Sequence, residues 1–407
     1  MYKKILFIAF MAVLVMVSCE DEPKKQGLKT GIWRGEITTQ GQKIPFNFLI
    51  SKKNEKFTID LINGEETFAI DQVFLLDDTL SFNLHIFDIE IKAKVNDCKL
   101  NGYYIKNYVD GYKLPFTAEY NKNGRFDRSQ SSDRFDGKWE TFFTKKDGRK
   151  VRAIGLFHKN DSIINGTFLA STGDYRYLDG YSEKDTMYLY SFDGNHLYKF
   201  KAVKQNDSIL KGEFWSGKNG YRTFISKKNI NASLPDTAPL TYLKEGYEKV
   251  DFTFPNLDNK LVSLSAEKYK GKVLIIQLLG TWSPNCMDET KFFANWYEKN
   301  RDRGVEIIGL AYETKPDFDY AKSRVENMKE QLNANYDFLI AGTSNQDSTS
   351  KSLPMLNHAI SFPTFIIIDK KGKVRKIHTG FSGPATGYYY EEFVEDFNVF
   401  INKLIQE

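Results

Sequence analysis

An internal repeat constrains this chain more than any other feature. Gly31-Ile32-Trp33 returns as Gly137-Lys138-Trp139, and Asp78-Thr79 returns as Asp185-Thr186. Asn96-Asp97-Cys98, with Leu100 and Gly102 behind it, returns as Asn206-Asp207-Ser208 with Leu210 and Gly212. The offsets are 106, 107 and 110 residues, so the copies differ only by small loop insertions. A period of that length reads as one structural unit used twice.

From Thr30 to about Lys228 both copies read as short strands. Turn signals recur at Asn63-Gly64, Asp77-Asp78, Asn123-Gly124, Asp147-Gly148 and Asp193-Gly194. Lys56 to Ile62 alternates with period two, as a half-buried strand does. The aromatic content, 15% with 32 Phe and 23 Tyr, suits pleated faces. Each copy has room for about eight short strands. A Gly-x-Trp opening followed by a meander is similar to lipocalin-like and other small up-and-down barrels, which remove exposed edges by closing. Each Trp is then expected to plug a barrel base. One larger sandwich built from both copies is the alternative. Cys98 corresponds to Ser208 in a turn, so it is expected to be a turn residue.

The pattern changes at Gly246. Gly271 to Gly280 is an apolar run bounded by glycines, which predicts a buried strand. Pro284 to Asn300 predicts a helix, and Val305 to Ala311 a second strand. Phe318, Ala321, Val325, Met328 and Leu332 fall at helical spacing. Further strands are expected over Tyr336 to Ile340, Thr364 to Asp369 and Val374 to His378. Phe393, Phe397, Phe400 and Leu404 mark a closing amphipathic helix. Strands alternating with helices predict an α/β sandwich with parallel strands. The chain is thus expected to be multidomain, with repeats over 29–124 and 125–228, a linker over 229–245 and an α/β domain over 246–407.

The N-terminus predicts targeting. Lys3 and Lys4 precede an apolar run from Ile5 to Val17, 13 residues and short for a bilayer span. Ser18-Cys19 follows, then Glu20-Asp21-Glu22. This resembles a bacterial lipoprotein signal over 1–18, with Met16 where Leu is usual. The resemblance implies lipidation at Cys19, a tether over 19–28 and membrane attachment through acyl chains. The acidic run is similar to the surface-export signal of Bacteroidetes lipoproteins. The expected location is the cell envelope, periplasmic or at the outer-membrane surface. Cys98 and Cys286 are then the remaining thiols, so this is not a disulfide-stapled chain, although a bridge between those two stays open.

Gly271-Lys272-Val273, the run to Gly280, Thr281-Trp282-Ser283-Pro284-Asn285-Cys286 and the later Ser361-Phe362-Pro363-Thr364 resemble the TlpA/ResA class of membrane-tethered thioredoxin-like thiol–disulfide oxidoreductases. The resemblance covers about 160 residues. It implies a thioredoxin fold with Trp-Cys-x-x-Cys at a strand-to-helix turn. It also implies a cis bond at Pro363, with Phe362, Pro363 and Trp282 at a substrate or partner surface. Trp282 is expected to be a surface aromatic.

The family's chemistry needs two thiols. The first attacks a substrate disulfide as a thiolate stabilised at the helix N-terminus, and the second resolves the mixed disulfide. Here the first position is Ser283, whose hydroxyl forms no disulfide. Serine is a favoured N-cap and Pro284 suits the first helical position, so the turn should persist without its redox cycle. Glu289, Phe292, Phe293 and Trp296 share a helix face with Cys286. Desolvation on that face would raise the Glu289 pKa and make it a proton acceptor for Cys286; a partly exposed Glu is the alternative. Cys286 and Glu289 are the candidate catalytic residues.

Other chemistries find less. The histidines at 85, 158, 196, 358 and 378 show no metal-ligand spacing, and no phosphate loop or Ser–His–Asp pattern occurs. No metal and no cofactor is expected. A net charge of +4 gives no argument for nucleic acid. The expected function is a tethered binding module for a protein or peptide partner, without dithiol cycling. The alternative is a monothiol enzyme acting through Cys286, by mixed-disulfide exchange or as a peroxidase. Ser-x-x-Cys resembles the peroxiredoxin motif, but Leu279 stands where those proteins carry Pro and the activating Arg has no match.

Overall fold

A computed structural model describes residues 27–407 except 85, 123, 128–132, 236–239 and 359–360. The signal segment 1–18, Cys19 and the tether as far as residue 26 lie outside the described residues.

The first sheet contains β1 (Gly31–Thr39), β2 (Gln42–Lys53), β3 (Lys56–Asn63), β4 (Glu66–Ile70), β5 (Val73–Leu76), β6 (Thr79–Asn83), β7 (Ile89–Asn96), β8 (Lys99–Lys106) and β9 (Lys113–Tyr120). Its order is β4-β3-β2-β1-β9-β8-β7-β6-β5. The first and last strands pair antiparallel, Ile37 opposite Phe116, which curls the meander into a barrel-like sheet open between β4 and β5. Alternation fills its inside: Ile44, Phe46, Phe48 and Ile50 of β2 are all buried.

The second sheet contains β10 (Gly137–Thr144), β11 (Lys150–Asn160), β12 (Ile163–Ala170), β13 (Gly173–Asp174), β14 (Leu178–Glu183), β15 (Thr186–Phe192), β16 (Leu197–Asn206), β17 (Ile209–Ser216) and β18 (Gly220–Lys228). Here β11 also pairs with β12, which closes the ring and leaves β13 as a short strand beside β12. The interior is packed with Phe143, Phe168, Phe200, Phe214 and Phe224; the Phe200 and Phe214 rings stack 4.2 Å apart. This barrel is a side-chain core.

Matching positions make matching bonds. The Trp33 indole donates to Lys29 O at 3.0 Å, and the Trp139 indole to Phe135 O at 2.8 Å. Tyr120 N donates to Cys98 O at 2.8 Å, and Lys228 N to Ser208 O at 2.9 Å. Val95 N donates to Asp78 O, and Lys204 N to Asp185 O. Cys98 lies in the β7–β8 turn, where Lys29 Nζ donates to its sulfur at 3.0 Å. The sheets pack together through Phe192, whose ring lies 4.3 Å from Phe46.

The α/β domain begins with a small hairpin, β19 (Thr253–Pro255) and β20 (Leu261–Ser263). Its main sheet contains β21 (Val273–Leu279), β22 (Val305–Glu313), β23 (Asp337–Thr343), β24 (Thr364–Ile368) and β25 (Val374–Thr379), in the order β23-β22-β21-β24-β25. The helices are α1 (Pro284–Asn300), α2 (Phe318–Leu332), α3 (Gln346–Ser352) and α4 (Tyr388–Gln406). The expected parallel strands are found in β21, β22 and β23, but the expectation is corrected at β24, which runs antiparallel to both of its neighbours, β21 and β25. The β24–β25 link is a tight turn in which Asp369 N bonds Lys373 O at 3.0 Å, and such a turn can join only antiparallel strands.

Every residue of β21 is buried, with Val273, Ile275 and Leu279 facing one core and Leu274, Ile276 and Leu278 the other. The segment expected to be a linker packs down at its described ends. Ala232 is buried against Ile154 and Leu169, and Leu243 bridges to Leu356.

Candidate functional site

The motif turn grows out of β21. A Cβ at Gly280 would lie 2.2 Å from the Trp282 indole nitrogen, so only glycine fits where the strand ends. Thr281 donates through its N and Oγ1 to the two carboxyl oxygens of Glu313, both at 2.9 Å. Ser283 has extended backbone angles, and its Oγ accepts from Cys286 N at 3.3 Å, which makes it the N-cap of α1. Pro284 follows as the first helical residue. Opposite the turn lies the cis Phe362–Pro363 bond, with the Phe362 ring edge-on to Trp282 at 5.9 Å.

Cys286 is fully buried, and burial pushes its thiol well above the ordinary range. The Ser283 side chain and Gly280 backbone favour the thiolate but are outweighed, and Glu289 and Glu313 add to the upward push. Glu289 is also fully buried, and burial raises it to about 8. Gln277 Nε2 donates to its Oε2 at 2.9 Å, while Tyr336 OH holds Gln277 Oε1 at 2.9 Å. Glu289 Oε1 has no hydrogen-bond partner among the described residues. At neutral pH this carboxyl is mostly protonated, so proton transfer to it from a still weaker acid is uphill. The arrangement is the opposite of an activated thiolate. Cys98 and Cys286 are both free thiols.

The second sheet covers the motif face. Asn285 Nδ2 donates to Asp174 O at 3.1 Å and to Asp174 Oδ1 at 2.8 Å. Asn195 Nδ2 donates to Trp282 O. Trp282 is therefore not the free surface aromatic that the sequence suggested; it is half-buried, with its indole donating to Tyr312 O at 3.0 Å. The physical reason is a second layer of protein over the turn. Ser283 is only 6% exposed and Pro363 is buried.

At the centre of this interface sits Arg176, 1% exposed, with a left-handed backbone at φ 56°. Its Nε and Nη2 donate to Asp288 at 2.8 and 2.7 Å, its Nη1 to Asp193 at 3.0 Å, and its Nη2 to Glu66 at 2.7 and 2.8 Å. Asp193 also pairs with His196 Nδ1 at 2.9 Å. Burial opposes Arg176's charge, but Asp288, Glu66 and Asp193 overcome it and hold the guanidinium protonated. Burial raises Glu66 to about 7 and Asp174 to about 7, and it raises Asp288 as well. Burial would also raise Asp193, but His196 and Arg176 hold it well below the usual range.

Sequence reading missed this cluster. Asp193-Gly194 was legible only as a turn. Asp288 is the one local hint, since it sits in α1 among motif residues, yet its burial depends on a partner 112 positions away in sequence. The first sheet touches the domain too, where Tyr320 OH donates to Asp88 Oδ2 at 3.0 Å and Lys315 Nζ to Asn107 O at 3.2 Å.

A mixed five-stranded sheet, a strand-to-helix motif turn and a facing cis-proline together define a thioredoxin-like domain. Residues 244–390 match the Redoxin family. Over 129 residues the chain is 30% identical to the thiol-disulfide oxidoreductase ResA of Bacillus thuringiensis subsp. konkukian, which covers 32% of this chain and 66% of that protein. It is 25% identical over 138 residues to ResA of Bacillus subtilis, covering 34% and 69%. A crystal structure of a thiol:disulfide interchange protein from Chlorobium tepidum TLS covers 40% of this chain and 98% of its own, at 19% identity and a TM-score of 0.30. The C-terminal domain is a Redoxin-type thioredoxin domain similar to thiol-disulfide oxidoreductases. The match spans just under two thirds of the first relative's own length and about a third of this chain.

Proposed function

We propose that this chain is an envelope protein of the thiol–disulfide oxidoreductase lineage that has lost dithiol cycling and works as a binding module for a protein or peptide. One observation carries the reading. The position that must supply an attacking thiolate is Ser283, and its Oγ is engaged in capping α1. A hydroxyl there keeps the turn and removes the disulfide. Two tandem barrel-like units, read as copies of one block, supply the remaining surface. Lipidation at Cys19 would tether the chain to a membrane, a reading supported by the sequence from Lys3 to Glu22. Insulin reduction with dithiothreitol tests the central claim. The expected result is turbidity no faster than reductant alone; sustained turnover above that rate overturns it. Metabolic palmitate labelling that survives a Cys19→Ala substitution would overturn the tether.

A further inference from the structure

We propose that the groove between the Ser283–Cys286 turn and the cis-Pro363 loop is a peptide-binding groove already filled in cis, with Thr172–Arg176 of the second sheet as a built-in pseudosubstrate. This deepens the binding-module reading and rests on it.

The segment is gripped from both lips of the groove. On the helix lip, Asn285 Nδ2 donates to the backbone and side chain of Asp174, and Asp288 accepts from Arg176. On the opposite lip, Ser361 Oγ of the proline loop donates to Thr172 O at 3.2 Å, and Gly383 N, in the segment after β25, donates to Asp174 Oδ2 at 2.9 Å. Main-chain bonds with side-chain anchors on both sides are how extended peptides are held in grooves. The backbones also meet without room for side chains. A Cβ at Gly380 would lie 2.6 Å from Thr172 C, and one at Gly173 would lie 3.3 Å from Asn285 Nδ2. Gly173 has φ 126° and Gly380 φ 82°, so both need glycine's backbone freedom, and Gly380 needs its lack of a side chain as well. Arg176 then locks the end of the segment to Asp288, while Glu66 of the first sheet and Asp193 of the second hold it from the other side.

The recognised chemistry is a short Thr-Gly-Asp-x-Arg stretch: glycine where the walls meet, a carboxylate for the Gly383 amide and Asn285, and a cation for Asp288. A partner with that pattern must displace the resident copy. A tethered segment competes at an effective concentration of about a millimolar or more. A free peptide is held off by the ratio of that concentration to the segment's Kd, which is tenfold or more once that Kd is about 0.1 mM or tighter.

The test uses the full chain and a fluorescein-labelled peptide with the sequence of residues 171–177. Asp174→Ala weakens the resident segment and leaves the groove walls intact. Anisotropy titration is expected to give at least tenfold tighter peptide binding to Asp174→Ala than to the wild type. Adding Asn285→Asp is expected to abolish that gain. Equal binding to wild type and Asp174→Ala, including none to either, overturns the proposal, as does binding that survives Asn285→Asp. If Asp174→Ala does not fold, Asn285→Asp alone is followed by hydrogen exchange. Amides of residues 172–176 should then exchange at least tenfold faster while those of Phe200 and Phe214 hold, and an unchanged rate at 172–176 overturns the proposal. Neither readout involves disulfide turnover, so a failure here is distinct from a failure of the insulin test.

Discussion

Replacing Glu289 by Gln should flatten the pH dependence of the thioredoxin-like domain's stability. The carboxyl is fully buried against Gln277, and burial raises it from its ordinary 4.5 to about 8. The folded state thus holds its proton to higher pH than the unfolded chain. Its contribution is fully present below about pH 4.5 and is lost as pH rises toward 8. Integrated from pH 5 to pH 8, the loss is about 3 kcal/mol. The glutamine amide would keep the bond from Gln277 through its own oxygen and would not titrate. Asp174, Glu66 and Glu313, each raised to about 7, tilt stability the same way in both proteins and cancel in the comparison. Because a multidomain chain need not unfold in one step, the probe must be local. The exposure of Cys286 to a short thiol-labelling pulse across a urea series, with Cys19 and Cys98 replaced by Ser, reports α1 specifically. If Glu289→Gln tracks the wild type within the ~0.5 kcal/mol scatter of such comparisons at both pH values, Glu289 is ionised in the fold and the buried-acid reasoning fails.

Ser283→Ala should cost about 1 kcal/mol through the lost cap, read as a lower urea midpoint by the same probe. Ser283→Cys should lose two titratable thiols on mild oxidation yet reduce insulin slowly, because Asn195 and Asp174 still cover the turn; fast turnover would mean that the face is open. Trp33→Phe and Trp139→Phe should each cost about 1–3 kcal/mol by leaving a carbonyl unpaired, and urea titrations should give similar losses if the two indoles play the same part. Arg176→Met should cost about 3–5 kcal/mol near pH 8, as expected for a buried ion pair stripped of one partner. Glu66 and Asp174, at about 7, take up protons more readily at pH 5, so the loss should shrink there, and a larger loss at pH 5 would contradict the assignment.

The elements of the C-terminal domain were legible because their signals are local. Gly280 ends a fully buried strand, Ser283 and Pro284 start a helix, and Phe318 to Leu332 carries its own period. The antiparallel pair was legible in principle, since no helical pattern separates Ile368 from Val374. The repeat predicted equivalent turns, and the equivalent Trp33 and Trp139 bonds agree with it. The closure of the second sheet against the open edge of the first was not legible, because it depends on β11 meeting β12. The cover over the motif was invisible for a stronger reason. Asn195 lies in a hairpin turn, Asp174 ends the two-residue β13 and Arg176 follows it, and the composition of these stretches reads as ordinary solvated loop. Their contacts with Trp282, Asn285 and Asp288 reach across 87 to 112 positions and leave no periodic trace.

That cover changes what Ser283 means energetically. Asp288 lies in the first turns of α1, and a helix packed on one side only would leave it in water; here it is 8% exposed. Three carboxylates, from Glu66, Asp193 and Asp288, bond one guanidinium in the closed interface, and a fourth, Asp174, accepts from the backbone N of Arg176. An attacking thiol works as an anion, and the helix N-terminus can stabilise that anion only where water or a cation shares the load. At a site 6% exposed and already rich in carboxylates, a thiolate would add buried negative charge with no partner. Serine stays neutral, keeps the cap and lets the second sheet close. A cysteine placed at 283 should therefore have its pKa raised by the closed interface, not lowered by the helix. Opening the interface with Asp174→Ala should bring that pKa down, which the pH dependence of its alkylation would measure. If the alkylation profile of Ser283→Cys is the same with and without Asp174→Ala, closure and thiolate chemistry are independent at this face and the link between them is broken.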